Sequence, residues 1–457
     1  MKLGVLKKFI QQFIWRKIEK NPELQKIIAN INWLFLDKVV QMLVALFVGV
    51  WVIRYLGPEK YGMLSYAVAF VSLFGFIANL GIDGIAVREF VKKPKEKERI
   101  FGTLFVLKFF AGIVAFILSL ITVFFVKSGD TLVFWLTSII ALGFIFKVSD
   151  VFDFWFQSQV KSKYSVYVRS GVNITSGLLK IILILMGASL TAFAWVLLLG
   201  SATTFFGMVV VFFLIDRKLP KIKIDWNIAK KMLHDSWPLI LSGIAINVYM
   251  KIDQVMIGNM LDNVLLGNYS AAVSLSEAWY FFPTIIVGSV FPAIIYAKKC
   301  SENLYMKRLQ LLYDFIAWSS IILAGLVSFF SKNIVNFLYG QQYAQAAPVL
   351  AIYIWSGVAI ALSIANGKYL VIENLTKIVF YCALSGAVIN ILLNFIFIPI
   401  FGIVGSSVAT LISYFISVFM VVFFKDSRIN AKMLFSALVP FKLFTRAYYR
   451  DIMDDNI

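Results

Sequence analysis

The chain has 457 residues, 61% hydrophobic and 15% charged, with a net charge of +19 from 43 Lys+Arg against 24 Asp+Glu. Soluble domains carry about 45–50% apolar and about 25% charged residues, so this balance excludes an ordinary globular domain. The basic residues sit in short runs between long apolar segments, as in cytoplasmic membrane loops, which argues against nucleic acid as a partner.

Residues 1–33 interleave Lys7, Lys8, Arg16 and Lys17 with Leu3, Leu6, Ile10, Phe13 and Ile14 at helical spacing. The pattern predicts a basic amphipathic segment on the membrane surface, not a cleavable signal. Twelve apolar segments follow, each long enough to cross a bilayer at about 20 residues per span. They are predicted at 34–56, 61–82, 102–126, 131–156, 166–187 and 190–215, then 237–259, 268–297, 310–330, 348–371, 377–399 and 403–424. The tail 425–457 is again basic and amphipathic.

Alternating loops carry 33 Lys+Arg on one side and 4 on the other. That asymmetry predicts a multi-pass cell-membrane protein with both termini in the cytoplasm. The polar stretch 216–236 divides the chain into six-helix halves, 34–215 and 237–424. A short repeat supports the division: Gly62-x-x-Ser65-x-Ala67-Val68 recurs as Gly267-x-x-Ser270-x-Ala272-Val273, each opening the second helix of its half. Parallel repeats of this kind suggest a transporter with a cavity between two lobes.

Ionisable groups deep in a span cost at least about 2.5–3.5 kcal/mol each. The deep ones are Lys147, Lys180, Lys251, Asp253 and Glu277. Asn173, Ser176 and Gly177 share a face with Lys180, and Asn247, Gln254 and Gly258 share one with Lys251, so both faces point into a wet cavity or another helix. Lys251 and Asp253 stand about 200° apart on their helix, which assigns Lys251 to the cavity and Asp253 to a helix contact. The alternative is structural pairing, for instance Lys180 with Glu277. As a set, three lysines against two acids favour an anionic ligand. Lys38, Lys108, Lys368, Asp37, Asp150 and Asp153 lie nearer the boundary and are expected to snorkel.

Trp279, Tyr280 and Phe281 beside Glu277 read as packing or as the wall of a sugar path, and Pro283, Pro292 and Pro399 as bending points. Cys300 and Cys382 are placed too differently for a disulfide. His234 reads as a solvated linker residue. No nucleotide-binding or metal-ligand motif is present, and the outward loops are short, so neither an enzyme nor a cofactor is expected.

Several motifs together resemble the polysaccharide (oligosaccharide repeat unit, O-antigen) flippases of the multidrug/oligosaccharidyl-lipid/polysaccharide exporter superfamily. They are Arg54-Tyr-Leu-Gly-Pro-Glu-Lys-Tyr-Gly62, Leu80-Gly-Ile with Arg88-Glu89, and Asp153-Phe-Trp-Phe-Gln157. Lys251-Ile-Asp-Gln-Val-Met-Ile-Gly258, Gly267-Asn-Tyr-Ser-Ala-Ala272, Asn390-x-x-x-Asn394 and Ile398-Pro399-x-x-Gly402-x-x-Gly405 complete the set, in order over 30–424. The resemblance implies an all-α membrane fold, twelve helices in two lobes forming a V around a cationic cavity. It implies movement of a polyprenyl-diphosphate-linked oligosaccharide from the cytoplasmic to the outer leaflet, among membrane lipids and alongside other surface-glycan assembly proteins. By position Lys180 and Lys251 fit the head-group role, with Lys147, Arg54 and Arg88 as further candidates. Glu277 is the candidate for H+ or Na+ coupling, and Asp253 for helix pairing. Lipid II flippases of the superfamily usually have fourteen helices, two more than are predicted here. The rival readings are a cation-coupled multidrug exporter of the same fold and a membrane enzyme of glycan assembly.

Overall fold

The computed structural model describes residues 22–216 and 223–439. The first 21 residues of the predicted surface segment, 217–222 of the linker and 440–457 of the tail lie outside the described residues. Among the described residues every regular element is helical, and ten helices are long and apolar enough to cross a membrane. Only helices and closed barrels satisfy their backbone hydrogen bonds in hydrocarbon, which is why such a composition folds this way.

The helices are α1 (Pro22–Leu73), α2 (Gly75–Asn79), α3 (Asp83–Lys92), α4 (Lys97–Val126), α5 (Thr131–Phe146), α6 (Asp150–Ser158), α7 (Lys163–Leu185) and α8 (Leu190–Asp216). The second half holds α9 (Trp226–Met260), α10 (Asn263–Glu277), α11 (Phe281–Cys300), α12 (Glu302–Phe329), α13 (Ser331–Leu338), α14 (Ala346–Tyr353), α15 (Ser356–Ile372), α16 (Thr376–Phe419) and α17 (Arg428–Ala437). Two of the long helices are each two helices across a kink. Gly57 (φ 70°) breaks α1 just before Pro58, and Gly402 (φ 59°) breaks α16 just after Pro399. Both glycines hold a left-handed backbone that L side chains avoid. Asp130, Asp225 and Asp262 cap α5, α9 and α10 by accepting from main-chain N–H groups.

Side chains such as Phe125, Leu185, Leu214, Phe329, Phe337 and Phe395 are more than two-thirds exposed, a belt that water would penalise and lipid would not. Four buried apolar clusters lie within one half each, joined in one case by linker residues and in another by residues of the tail. The fifth joins the halves, bringing Ile53, Tyr66 and Val123 against Tyr269, Tyr339 and Tyr343.

Several predicted elements are corrected. The second span does not run unbroken to 82: α1 ends at Leu73, and Leu80 and Gly81 both turn left-handed after α2. The eighth is interrupted by a 3-10 turn at Ala278–Tyr280. Pro283 offers no N–H to the carbonyl of Trp279, so the ladder fails one turn upstream of the proline rather than at it. The linker is helical from Trp226, which puts exposed His234 on α9 rather than in a loop. Snorkelling fails for Lys108, whose side chain is fully buried with Nζ 2.9 Å from Asp150 Oδ2. Asp37 and Asp153 are buried as well, Asp37 accepting from Gln41 and Ser170 and Asp153 from Arg169 at 2.6 Å. Lys108 also stands 3.9 Å from Asp83 on α3 and 5.5 Å from the Phe154 ring centroid on α6, so these two short helices help to cover it.

The tail helix α17 lies against protein, burying Ala431, Leu434 and Ala437. Its Asn430 donates to Asn366 Oδ1 at 2.6 Å and accepts from the Tyr313 hydroxyl at 2.7 Å.

Candidate functional site

The two glycines of the sequence repeat sit at one helix crossing. A Cβ on Gly62 would fall 1.9 Å from the Asn263 carbonyl oxygen, and one on Gly267 would fall 1.8 Å from that of Pro58. Only bare backbone lets the second part of α1 and the start of α10 approach so closely. Around this crossing, groups from one half bond to the other. The Tyr66 hydroxyl donates to Asn259 Oδ1 at 3.0 Å, that of Tyr343 to the Ile53 carbonyl at 2.7 Å, and Gln342 Nε2 to the Arg54 carbonyl at 3.0 Å. Lys127, in the short hairpin after α4, donates to the Gly258 carbonyl at 2.5 Å and stands 4.9 Å from the Tyr66 ring centroid. Burial lowers its pKa below the usual lysine range. The first-hairpin end of the bundle is therefore shut.

Behind that closure lies a cavity of about 470 Å³ with walls from both halves. Gly49, Tyr61, Ser65 and Lys180 come from the first half; Lys251, Gln254, Ser270, Ser274 and Glu277 come from the second. Tyr61 and Ser274 share a hydrogen bond of 3.0 Å across it. Lys251 Nζ is 3.1 Å from both Glu277 oxygens, a bidentate pair about a quarter exposed on each side. The pairing that sequence left open between Lys180 and Glu277 is thus made by Lys251 instead. Lys180 has no hydrogen-bond or ion-pair partner among the described residues. Its neighbours Ser176 and Gly177 pack against Gly200 and Val44, which fixes α7 beside α8 and α1 and leaves the lysine at the wall.

The other candidates stand elsewhere. Lys147, at the 3-10 turn after α5, donates to Asn79 Oδ1 at 2.7 Å. Arg54 is exposed at the shut end. Arg88 pairs with Asp235 at 2.7 Å and Glu89 at 3.2 Å near the opposite end, and the Asp235 hydrogen bond raises its pKa. Asp253 is wholly buried, accepting from the Tyr269 hydroxyl and the Gln254 N–H. Among the described residues the lysine, arginine and carboxylate side chains lining the cavity are Lys180, Lys251 and Glu277, a surplus of one positive charge. No cluster of metal-ligating side chains occurs among the described residues. Tyr61 and Lys127 were not singled out from sequence; a lone Lys in a short hairpin between apolar spans was the one available signal.

Comparison with known proteins agrees with this architecture. The chain is 21% identical to the capsular polysaccharide biosynthesis protein CapF of Staphylococcus aureus over 421 residues, 87% of this chain and 99% of that protein. It is 22% identical to a putative O-antigen transporter of Shigella dysenteriae over 390 residues, 84% of this chain and 96% of that one. Among solved structures it resembles the lipid II flippase MurJ in an inward closed conformation, with a TM-score of 0.69 over 94% of this chain and 93% of that one. At 16% identity that likeness shows a shared membrane fold alone. The family model described as polysaccharide biosynthesis protein matches residues 27–298, and the chain belongs to that family.

Proposed function

We propose that the protein is a flippase that carries a lipid-linked oligosaccharide, bearing a prenyl diphosphate, from the cytoplasmic to the outer leaflet of the cell membrane. The observation that carries this reading is the cavity between the halves, where Lys180 stands unpaired and Lys251 is held by Glu277. A diphosphate and its sugars cannot cross hydrocarbon; a wet cleft with excess positive charge can hold them while the chain stays in lipid.

In this reading the ten apolar helices are twelve spans, because the kinks at Gly57 and Gly402 each divide one helix in two. The lobes are 34–215 and 237–424, the linker 216–236, and both termini face the cytoplasm. The first hairpin then faces outward, and the conformation described here is closed to the outside. Lys180 meets the head group first. The phosphates then compete with Glu277 for Lys251, and the freed carboxylate becomes available to a proton or sodium ion. Lobe movement changes which leaflet reaches the cleft, so the protein transports and does not transform its substrate. The names of the capsular polysaccharide biosynthesis and O-antigen transporter relatives support this reading. A multidrug exporter for cations would need an acid surplus, opposite to the cavity's charge.

The test is equilibrium binding by the purified protein, with inorganic diphosphate and a cationic dye offered separately. Diphosphate is expected to bind and Lys180→Ala to weaken it by about tenfold or more, the loss of one charge-assisted contact. Dye binding with no diphosphate binding would overturn the reading.

A further inference from the structure

Beside the cationic cavity lies a second one of about 310 Å³, and the two share Leu46, Leu275 and Ala278 in their walls. The second is lined by apolar side chains throughout, among them Met42, Phe282, Leu323 and Val327. Trp279 also lines it, and its indole N–H is buried without an acceptor. The 3-10 turn at Ala278–Tyr280 forms the partition. Glu277 faces the charged side, while Trp279, Phe281 and Phe282 face the apolar one, with Trp279 stacked on Phe282 at 5.0 Å. Residues 277 and 279 stand well over a right angle apart around a helical axis, so one short stretch presents the carboxylate to one cavity and the indole to the other.

We propose that this second cavity seats the first isoprene units of the substrate's prenyl chain while its diphosphate lies against Lys180 and Lys251. The proposal rests on the flippase reading above. The polar and apolar compartments abut directly, sharing only apolar wall residues, with no intervening polar space. A prenyl diphosphate has the same form, because its hydrocarbon begins one bond from the phosphate oxygen; a glycerolipid places a polar ester-bearing glycerol between the two. In that seat the branched methyl groups meet the Trp279 and Phe282 rings. At about 30 Å³ per heavy atom the cavity holds about two isoprene units. The rest of the chain remains in lipid, where burial against protein brings little gain.

The experiment is a binding series on the full-length purified protein, using inorganic, dimethylallyl, geranyl, farnesyl and n-decyl diphosphates below their aggregation limits. Geranyl diphosphate is expected to bind at least about tenfold more tightly than the dimethylallyl compound, with little added by the third unit of the farnesyl chain. Leu323→Trp, which fills the apolar cavity from α12, should abolish that chain-length gain and leave inorganic diphosphate binding unchanged. A geranyl diphosphate carrying a terminal diazirine should label 275–282 and 323–327 in the unaltered protein, a readout that stands even if the variant does not fold. An unchanged gain in Leu323→Trp, or labelling elsewhere, overturns the tail site while leaving the head-group reading intact. Equal binding of n-decyl and geranyl diphosphates overturns the commitment to a prenyl chain in favour of any single-chain lipid. Absence of diphosphate binding by every compound overturns the flippase reading itself, and the tail site falls with it.

Discussion

Gly267→Ala adds one methyl group at the place where the halves meet most closely. Its Cβ would stand 1.8 Å from the Pro58 oxygen, whereas contacts under 3.0 Å are essentially never seen, so the helices must part by about 1.2 Å. The atoms it meets, the O, C and Cα of Pro58, are backbone of the kinked first hairpin and not the end of a flexible side chain that could swing away. Overpacking of this kind costs about 1–3 kcal/mol, charged only against the state in which the crossing is closed. Alanine's advantage over glycine within a helix, about 1 kcal/mol, acts in open and closed states alike and cancels. A penalty of about 2 kcal/mol moves the closed-to-open ratio by about 30-fold. Spin labels at Lys60 and Lys332, both exposed, report the separation of the halves at this end by double electron–electron resonance. The unaltered protein should give mainly the short distance, and Gly267→Ala mainly a longer one. Gly288→Ala is the control, since a Cβ there meets nothing within 4 Å. An unchanged distance distribution in a folded Gly267→Ala protein would refute the claim that this crossing sets the closure.

Three further outcomes follow from particular contacts. Lys251→Ala and Glu277→Ala should each lower the Tm, and the double variant should recover part of the loss, with a coupling of about 1–3 kcal/mol; strict additivity would mean that the pair does not hold α9 to α10. Lys108→Met should destabilise by up to about 3 kcal/mol, because Asp150 stays about a quarter exposed and keeps some water, and adding Asp150→Leu should relieve the loss; a Tm unchanged by Lys108→Met would contradict its burial. Asn430→Ala should cost about 1–3 kcal/mol by stranding Asn366 and Tyr313, and trypsin should then cut faster after Arg428 and Lys432; equal cleavage rates would show that Asn430 does not anchor α17.

The sequence reveals its solvent because each span is a local run of apolar residues, and its kinks because glycine and proline act on their own backbone. Gly57 and Gly402 fall at ends predicted for spans one and eleven. What it hides is which helix faces which. Lys108 reads as a snorkelling residue since nothing near it in the chain shows that Asp150, 42 residues on, will cover it. Glu277 has two plausible lysines, and only the packing of α10 on α9 selects Lys251 over Lys180. The glycine repeat is visible as a pattern, but a pattern does not state that its two copies touch.

That contact links the closure to the charge chemistry. Gly267 and Glu277 stand on the same helix, α10, ten residues apart, about 15 Å at 1.5 Å per residue. Ser65 and Ser270, three residues past their respective glycines, both line the cavity, so any parting of the crossing widens it directly. An anion that draws Lys251 from Glu277 loosens α10 from α9 at one end of this rod. The rod's other end is the glycine crossing, which has no side chain to absorb a tilt. In the flippase reading proposed above, head-group binding and outer closure are two loads on one rigid element, and a carboxylate left without its lysine is the group through which an ion would set their balance. On this view Glu277→Gln, which keeps the side chain's shape and removes its charge, should shift the spin-label distances toward those of Gly267→Ala even without substrate. Distances that stay at the closed value would separate the two ends of α10 and leave the closure independent of the charge pair.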